Sequence, residues 1–121
     1  MMSEQIITRN AVITSTSLGP EDHGIFSAYI QLDYSGSGQA FGGYALDRFN
    51  RINKEREGTA YGLEFIRRAM QVAGVARWED LPGKYVRVKA TSSKVHAIGN
   101  ITANIWFCPE TDMGDFTKDF L

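Results

Sequence analysis

The sequence predicts a single α+β domain in which one amphipathic helix packs on an antiparallel β-sheet of about five strands. Two stretches, residues 25–34 and 84–90, alternate apolar and polar side chains, as strands with one buried face do. Between them, residues 60–73 repeat apolar side chains every three or four positions, which indicates a helix. A chain of 121 residues that is 43% hydrophobic can bury one core but not two. We therefore expect a single ligand-binding domain over residues 1–121.

The N-terminal third predicts three strands in an antiparallel meander. Residues 6–16 are rich in Ile, Val and Thr, which favours a strand, and residues 18–24 contain the glycines and proline of a turn. Residues 25–34 form the second strand, and residues 39–46 return as the third. The second strand is expected to place these apolar side chains on one face: Phe26, Ala28, Ile30, Leu32 and Tyr34.

Gly42 and Gly43 interrupt the third predicted strand. Glycine inside a strand often marks a bulge or a close approach of two backbones. Two interpretations stay open here: a plain bulge, or a place where a ligand or a second subunit meets bare backbone. Phe41 and Tyr44 would face opposite sides of a regular strand, so they share a pocket only if the two glycines break the pleat.

The middle of the chain predicts a surface loop followed by the helix. Residues 47–57 are charge-dense without clear periodicity, which indicates a loop. Thr59 is placed to cap the start of the helix, and Gly74 to end it. The face toward the sheet is predicted to carry Leu63, Ile66, Met70 and Ala73. The opposite face is predicted to carry Glu64, Arg67, Arg68 and Gln71.

The C-terminal third predicts a hairpin and a short final element. A turn over residues 78–83 leads into the strand at 84–90, whose partner is expected at 94–101. Residues 115–121 suggest a short C-terminal helix or a docking tail. One side of the first hairpin strand is expected to carry Val86, Val88 and Ala90, and the other side Tyr85, Arg87 and Lys89.

Composition excludes several classes of function. A net charge of -1 argues against binding DNA, because that affinity comes largely from lysines and arginines that neutralise phosphates. Cys108 is the one cysteine, so neither an intrachain disulfide nor a cysteine-based zinc site is expected. The N-terminus lacks the features of a secretion signal, and no apolar run reaches the ~20 residues of a membrane span. We therefore expect a cytoplasmic protein that contacts neither membrane nor DNA.

The chain offers few residues for catalysis. His23 and His96 belong to no metal-binding pattern, and neither spacing nor context pairs one of them with Cys108 as a base with a nucleophile. The carboxylates are scattered over predicted loops and the tail. The sequence therefore predicts a protein that is not an enzyme and that uses no metal and no cofactor.

Several segments together resemble the phage anti-Thoeris protein family, type one. They are residues 37–47 (SGQAFGGYALD), 58–66 (GTAYGLEFI), 78–88 (WEDLPGKYVRV) and 98–101 (IGNI), followed by Trp106 and Phe107. The segments occur in order and span most of the chain.

The resemblance implies a function without chemistry. Thoeris defence signals infection with a cyclic ADP-ribose isomer, and this phage family binds that signal and holds it intact. Its members are similar in forming homodimers that assemble further, and some hold cyclic oligonucleotides at separate sites. By this resemblance, the protein would work in the cytoplasm of an infected bacterium as a homodimer or a larger homo-oligomer.

Within the matching segments, side chains suited to a nucleotide are the predicted site. An adenine needs a flat partner to stack on, and a diphosphate needs guanidinium groups and free backbone N–H groups. The predicted stacking rings are Phe41 and Tyr44, and the predicted backbone donors are Gly42 and Gly43. The predicted phosphate ligands are Arg56 and Arg87, and the predicted ribose or base contacts are Tyr85, Asn100 and Phe107.

Plainer interpretations compete with this one. Phe41 and Phe107 are equally suited to the core, and Arg87 to a solvated strand face. At the level of the whole protein, the alternatives are an enzyme that degrades a cyclic nucleotide signal and a protein-binding module that takes no small ligand.

Overall fold

The computed structural model describes residues 5–116 and confirms the α+β class. Its main element is a six-stranded antiparallel sheet, accompanied by a separate two-stranded hairpin, one long helix and one short helix. The sheet consists of β1 (Ile7–Pro20), β2 (Phe26–Asp33), β3 (Gly38–Gly42), β6 (Tyr85–Ala90), β7 (Val95–Asn100) and β8 (Trp106–Phe107). The hairpin is β4 (Asp47–Asn50) and β5 (Glu55–Gly58), and the helices are α1 (Ala60–Ala73) and α2 (Pro109–Asp112).

The long strand β1 joins the two halves of the sheet, whose order is β3-β2-β1-β6-β7-β8. Its first half pairs with β6 from Ile7 to Val12, and its second half pairs with β2 from Val12 to Pro20. The predicted meander and the predicted C-terminal hairpin are both confirmed. The sheet curls far enough for Gln39 Nε2 on β3 to donate to the carbonyl of Thr91, just beyond β6, at 3.0 Å.

Helix α1 has the predicted bounds and caps. The Thr59 hydroxyl accepts a hydrogen bond from the amide of Gly62 at 3.0 Å, and Gly74 ends the helix with a φ of 80°. The predicted buried face is confirmed at Ala73 and in part at Ile66, which is half-buried and packs against the core. It is wrong at Leu63, which is 66% exposed, and Met70 is half-buried. The buried positions are instead Tyr61, Gly62, Phe65, Ala69, Val72 and Ala73.

The helix buries a different row of residues from the predicted one because small residues allow close packing. Gly62 lets the helix approach the backbone of Leu46 closely, and Ala69 is fully buried. Phe65 packs against the rings of Phe41 and Phe107 on the sheet. Apolar residues surround most of this helix, so spacing alone does not show which row the sheet will bury.

The loop predicted at residues 47–57 is wrong, because these residues form the hairpin β4–β5. Its charges are paired across the strands: Arg48 Nε donates to Glu57 at 2.9 Å, and Arg56 binds Asp47. Cross-strand ion pairs satisfy charged side chains on a short hairpin without apolar alternation. This hairpin raises the strand count above the predicted number.

Two strand ends also differ from the prediction. β1 runs on to Pro20, through part of the predicted turn, because β2 continues to pair with it. β3 ends at Gly42 rather than at residue 46, since Gly42 and Gly43 adopt φ values of 121° and 82° that a strand does not use.

The described part of the chain ends with α2 and a short turn. Of the predicted final element at 115–121, residues 117–121 lie outside the described residues, as do residues 1–4. Within residues 5–116, no helix is both long and apolar enough to cross a membrane.

Candidate functional site

The outer face of the sheet, opposite α1, carries a cluster of aromatic and basic side chains. Alternation along β6 is as predicted: Val86 and Val88 are fully buried toward the helix, whereas Tyr85, Arg87 and Lys89 point to the other side. Tyr85 is 62% exposed. Residues paired across neighbouring strands share a face, and the pairing Arg87–Gly99–Trp106 runs across β6, β7 and β8.

Trp106 lies flat against Gly99. A Cβ added to that glycine would come within 2.6 to 2.8 Å of three atoms of the indole ring. The absence of a side chain at Gly99 therefore makes room for the ring on the sheet surface. The next residue, Phe107, is fully buried on the opposite side, as alternation in a strand requires.

Arg87 and Lys89 both contact the indole of Trp106. The Arg87 guanidinium carbon lies 4.7 Å from the ring centroid, and Lys89 Nζ lies 4.3 Å from it. Both distances are within the range of cation–π attraction. We call Tyr85, Arg87, Lys89 and Trp106 the outer-face patch.

Arg87 is fixed in place, whereas Lys89 is not. Arg87 Nε donates to the carbonyl of Asn100 at 2.7 Å, and one of its terminal nitrogens donates to the carbonyl of Ala103 at 2.9 Å. Lys89 is exposed, and its long aliphatic stem lets the ammonium move. The patch thus combines one oriented guanidinium with one adaptable ammonium.

Asn100 helps to position Arg87 of the outer-face patch. Its side-chain Nδ2 donates to the carbonyl of Val72 on α1 at 3.0 Å, and its Oδ1 accepts from the amides of Thr102 and Ala103. These bonds shape the turn that presents the Asn100 and Ala103 carbonyls to Arg87. Asn100 therefore lies next to the patch as predicted, but its side chain is hydrogen-bonded to other parts of the protein.

The other predicted rings lie in the core. Phe41 and Phe107 are 0% and 2% exposed, and both pack on Phe65, with ring centroids 5.8 and 5.4 Å away. Tyr44 is half-buried and lies 5.6 Å from the same ring. The regular strand ends between Phe41 and Tyr44, so the two rings can lie on the same side. They do so in the core, where both contact the ring of Phe65. Burial raises the pKa of the Tyr44 hydroxyl, against the opposing effect of the nearby Lys94 charge.

Gly42 and Gly43 allow two backbones to meet. A Cβ on Gly42 would lie 2.2 Å from the carbonyl oxygen of Ala28, and the Gly43 amide donates to that same oxygen at 2.9 Å. The Gly43 N–H is therefore occupied within the fold. The pairing of β3 with β2 stays regular up to Gly42, where the strand ends, and the backbone that comes close to the two glycines is that of β2.

Arg56 occupies a different part of the molecule. Its Nε and one terminal nitrogen both donate to the carboxylate of Asp47 at 2.8 Å. Asp47 also accepts the backbone amide of Phe26 at 3.1 Å. The hydrogen bond from Arg56 is the main reason why the pKa of Asp47 lies below its usual value of 3.8.

This ion pair borders the larger of two described clefts. The cleft has a volume of about 410 Å³ and lies between the hairpin and the start of α1. We call it the hairpin cleft. It is lined by Phe26, Leu46, Asp47, Arg56, Glu57, Gly58, Thr59, Gly62, Leu63 and Ile66. A smaller, more polar cleft of about 250 Å³ lies between α1 and β8.

Among residues 5–116, no three His, Cys, Asp or Glu side chains lie close enough together to hold a metal ion. His96 Nδ1 lies 3.7 Å from Glu110, which also binds Lys94 Nζ at 2.6 Å. The hydrogen bond from Lys94 holds the pKa of Glu110 below its usual range. This cluster ties α2 to β7.

The structure thus sorts the predicted residues into three groups. Tyr85, Arg87 and Asn100 come together near the outer-face patch, the four residues from Phe41 to Tyr44 join Phe107 in or beside the core, and Arg56 lies at the hairpin cleft. Trp106 and Lys89 were missing from the predicted site. The sequence could have indicated Trp106. Adjacent residues of a strand face opposite sides, so if Phe107 points into the core, Trp106 must point away from it.

Comparison of the chain with protein-family models, with curated proteins and with solved structures finds no match.

Proposed function

We propose that this protein sequesters a cyclic ADP-ribose-type signalling nucleotide at the outer-face patch without cleaving it, and thereby blocks Thoeris defence. The observation that carries the proposal is the contact of Trp106 with two cations, Arg87 and Lys89. A flat ring and two positive charges in one place match the two chemical parts of such a ligand, its base and its diphosphate.

Binding would rearrange the mobile half of the patch. Lys89 leaves the indole and meets a phosphate, and the adenine takes its place as the stacking partner of Trp106. Arg87 stays, held by its two carbonyl acceptors, and offers its remaining N–H groups to the diphosphate. Tyr85, exposed beside Arg87 on β6, supplies a hydroxyl for the ribose.

The strength of binding favours more than one copy of the chain in the site. Removing a nanomolar signal requires about -12 kcal/mol. Stacking of one base contributes only about 1–3 kcal/mol. Since the patch is a surface rather than an enclosed pocket, we propose that a homo-oligomer covers the ligand from a second side.

The decisive experiment measures binding and the fate of the ligand together. The protein is mixed with each cyclic ADP-ribose isomer, its melting is followed, and the ligand is then released by heat and weighed by mass spectrometry. Ligand at 100 times its dissociation constant should stabilise the fold by about 2.7 kcal/mol. The released ligand should have its original mass. Cyclic oligonucleotides belong in the same panel, as candidates for separate sites.

The outcomes separate the three classes of function. Intact ligand with a melting shift supports sequestration, whereas a product mass identifies an enzyme. No shift with any compound leaves the protein-binding module. A Trp106→Leu variant should lose the shift, while the control Trp78→Leu, at the short turn after α1, should keep it once its own melting point is taken as the reference.

A further inference from the structure

The indole of Trp106 has one face on the sheet and one face turned away from it. Gly99 lies against the first face, so close that a Cβ there would come within 2.6 Å of the ring. Lys89 Nζ lies 4.3 Å from the ring centroid and therefore covers the other face, which is the face left for a base to stack on. A base that stacks on Trp106 has to displace this ammonium group.

The register of β6 and β7 explains how Lys89 reaches the ring. Lys89 is paired with Ala97 on β7, and Gly99 is its diagonal neighbour, two residues further along the same strand. Diagonal neighbours are about 7–8 Å apart, a distance that a long side chain spans. Ala97 carries only a methyl group, so it leaves the path of the lysine across the sheet open.

No strong partner holds Lys89 over the ring. Among residues 5–116, no carboxylate forms an ion pair with its ammonium group, unlike Lys94, which binds Glu110 at 2.6 Å. Arg87 differs too, since two backbone carbonyls hold its guanidinium. A cation–π contact at an exposed site is weaker than a charge-assisted hydrogen bond, so an anionic group can draw Lys89 away from the indole.

We propose that Lys89 determines the specificity of the outer-face patch, because it is a displaceable cover on Trp106. A ligand with a phosphate near its planar ring draws the ammonium off the indole and stacks in its place. A neutral planar ligand gives the ammonium nothing to bind, so it has to break the cation–π contact without compensation. This inference rests on the proposed function and adds what the patch rejects, namely uncharged nucleosides and free bases.

Removing the cover should change the binding of charged and uncharged ligands in opposite directions. The probes are adenosine and ADP, which share a base and differ in the diphosphate, and isothermal titration measures both affinities. Lys89→Ala should bind adenosine about two- to fivefold more tightly, since no cation–π contact has to be broken. The same variant should bind ADP about tenfold more weakly, because a charge-assisted hydrogen bond is lost. A residue that merely supported the fold would shift both affinities in the same direction.

Two variants are the controls. Lys89→Arg keeps a cation that contacts aromatic rings, so it should preserve the preference for ADP. Lys84→Ala removes an exposed lysine just before β6 and should leave both affinities unchanged.

A measurement without nucleotide tests the cover itself. In a Trp78→Phe background, Trp106 is the one remaining tryptophan, and acrylamide quenching of its fluorescence reports how accessible the indole is. Lys89→Ala should raise the quenching constant, whereas Lys84→Ala should not. Inorganic pyrophosphate should raise it when Lys89 is present and leave it unchanged in Lys89→Ala, because the anion acts by drawing the ammonium away.

The outcomes distinguish this inference from the proposed function. If no cyclic ADP-ribose isomer shifts the melting point while quenching and adenosine binding respond as expected, sequestration of such a signal fails and the cover stands. The cover is overturned if Lys89→Ala leaves the quenching unchanged, or if this variant does not bind adenosine more tightly than the wild type does.

Discussion

The two faces of the six-stranded sheet use similar side chains for different purposes. On the inner face, Phe41 and Phe107 pack against the ring of Phe65 from α1, and all three rings are almost fully buried. On the outer face, Trp106 and Tyr85 remain accessible beside Arg87 and Lys89. Aromatic content alone therefore does not locate a binding site, because burial decides whether a ring stabilises the fold or can meet a ligand.

The two residues of β8 show this contrast most directly. Phe107 closes the core and Trp106 builds the outer-face patch, although the two are neighbours in the chain. Substitutions in the core, at the start of α1, on the outer face and at the β4–β5 hairpin should therefore differ in the size and kind of their effects, from about 4 kcal/mol down to about 1 kcal/mol.

Phe65→Ala should reduce the free energy of unfolding by about 4 kcal/mol, because it removes the ring on which three other aromatic rings pack and leaves a cavity. Urea denaturation followed by circular dichroism measures the loss. The outer-face control Tyr85→Ala should change stability by less than about 0.5 kcal/mol. Equal losses in the two variants would remove the contrast between the faces.

Gly62→Ala should destabilise the protein by about 3 kcal/mol, although alanine is the better helix former. A Cβ at Gly62 would lie 2.1 Å from the carbonyl oxygen of Leu46, so α1 and the backbone before β4 would have to move apart. Gly58→Ala is the matched control, since a Cβ there meets no atom within 4 Å. A neutral Gly62→Ala would mean that the helix does not approach this closely.

Arg87→Ala should weaken nucleotide binding by about 2 kcal/mol while changing stability less, because a hydrogen bond to a charged group is lost. Isothermal titration with a cyclic ADP-ribose isomer measures the affinity. Arg77→Ala, which removes an exposed arginine paired with Asp80, is the control and should bind normally. Unchanged affinity in Arg87→Ala would take this residue out of the site.

Asp47→Asn should cost about 1 kcal/mol at neutral pH and progressively less in acid. The pKa of Asp47 is lowered in the folded state, chiefly by the hydrogen bond from Arg56, so its stabilisation is present above the ordinary value of 3.8. The stabilisation is lost as the pH falls through the lowered pKa. Denaturation of both proteins from pH 7 to pH 2 should therefore bring their stabilities together. A difference that stays constant with pH would contradict the role of the ion pair.

The sequence predicted what depends on local patterns. Alternation located β2 and β6, and β7 was expected as the hairpin partner of β6. The cap at Thr59 and the glycine at Gly74 set the bounds of α1. It failed at the β4–β5 hairpin, where cross-strand ion pairs replace apolar alternation, and it chose the wrong row of α1. The two errors differ in their source. The partners in the hairpin are close in the chain but lack the apolar alternation that marks a strand, whereas the surface on which α1 packs lies far away in the chain.

The same division holds for the candidate site. Tyr85, Arg87 and Asn100 were predicted as site residues because they lie in segments whose residue types suit a nucleotide, and the structure brings the three close together. Phe41 and Phe107 could not be separated from the core in advance, since a buried ring and a stacking ring are chemically the same.

The sequence by itself determined the α+β class, the helix and the order of most strands, because hydrophobic periodicity and capping act over a few neighbouring residues. Only the tertiary structure decided which aromatic rings face the solvent, that Trp106 lies on Gly99 beside two cations, and that Arg56 is bound to Asp47. These outcomes depend on how strands pair and on how the helix and sheet pack, where space and burial, rather than residue type, decide which side chains meet.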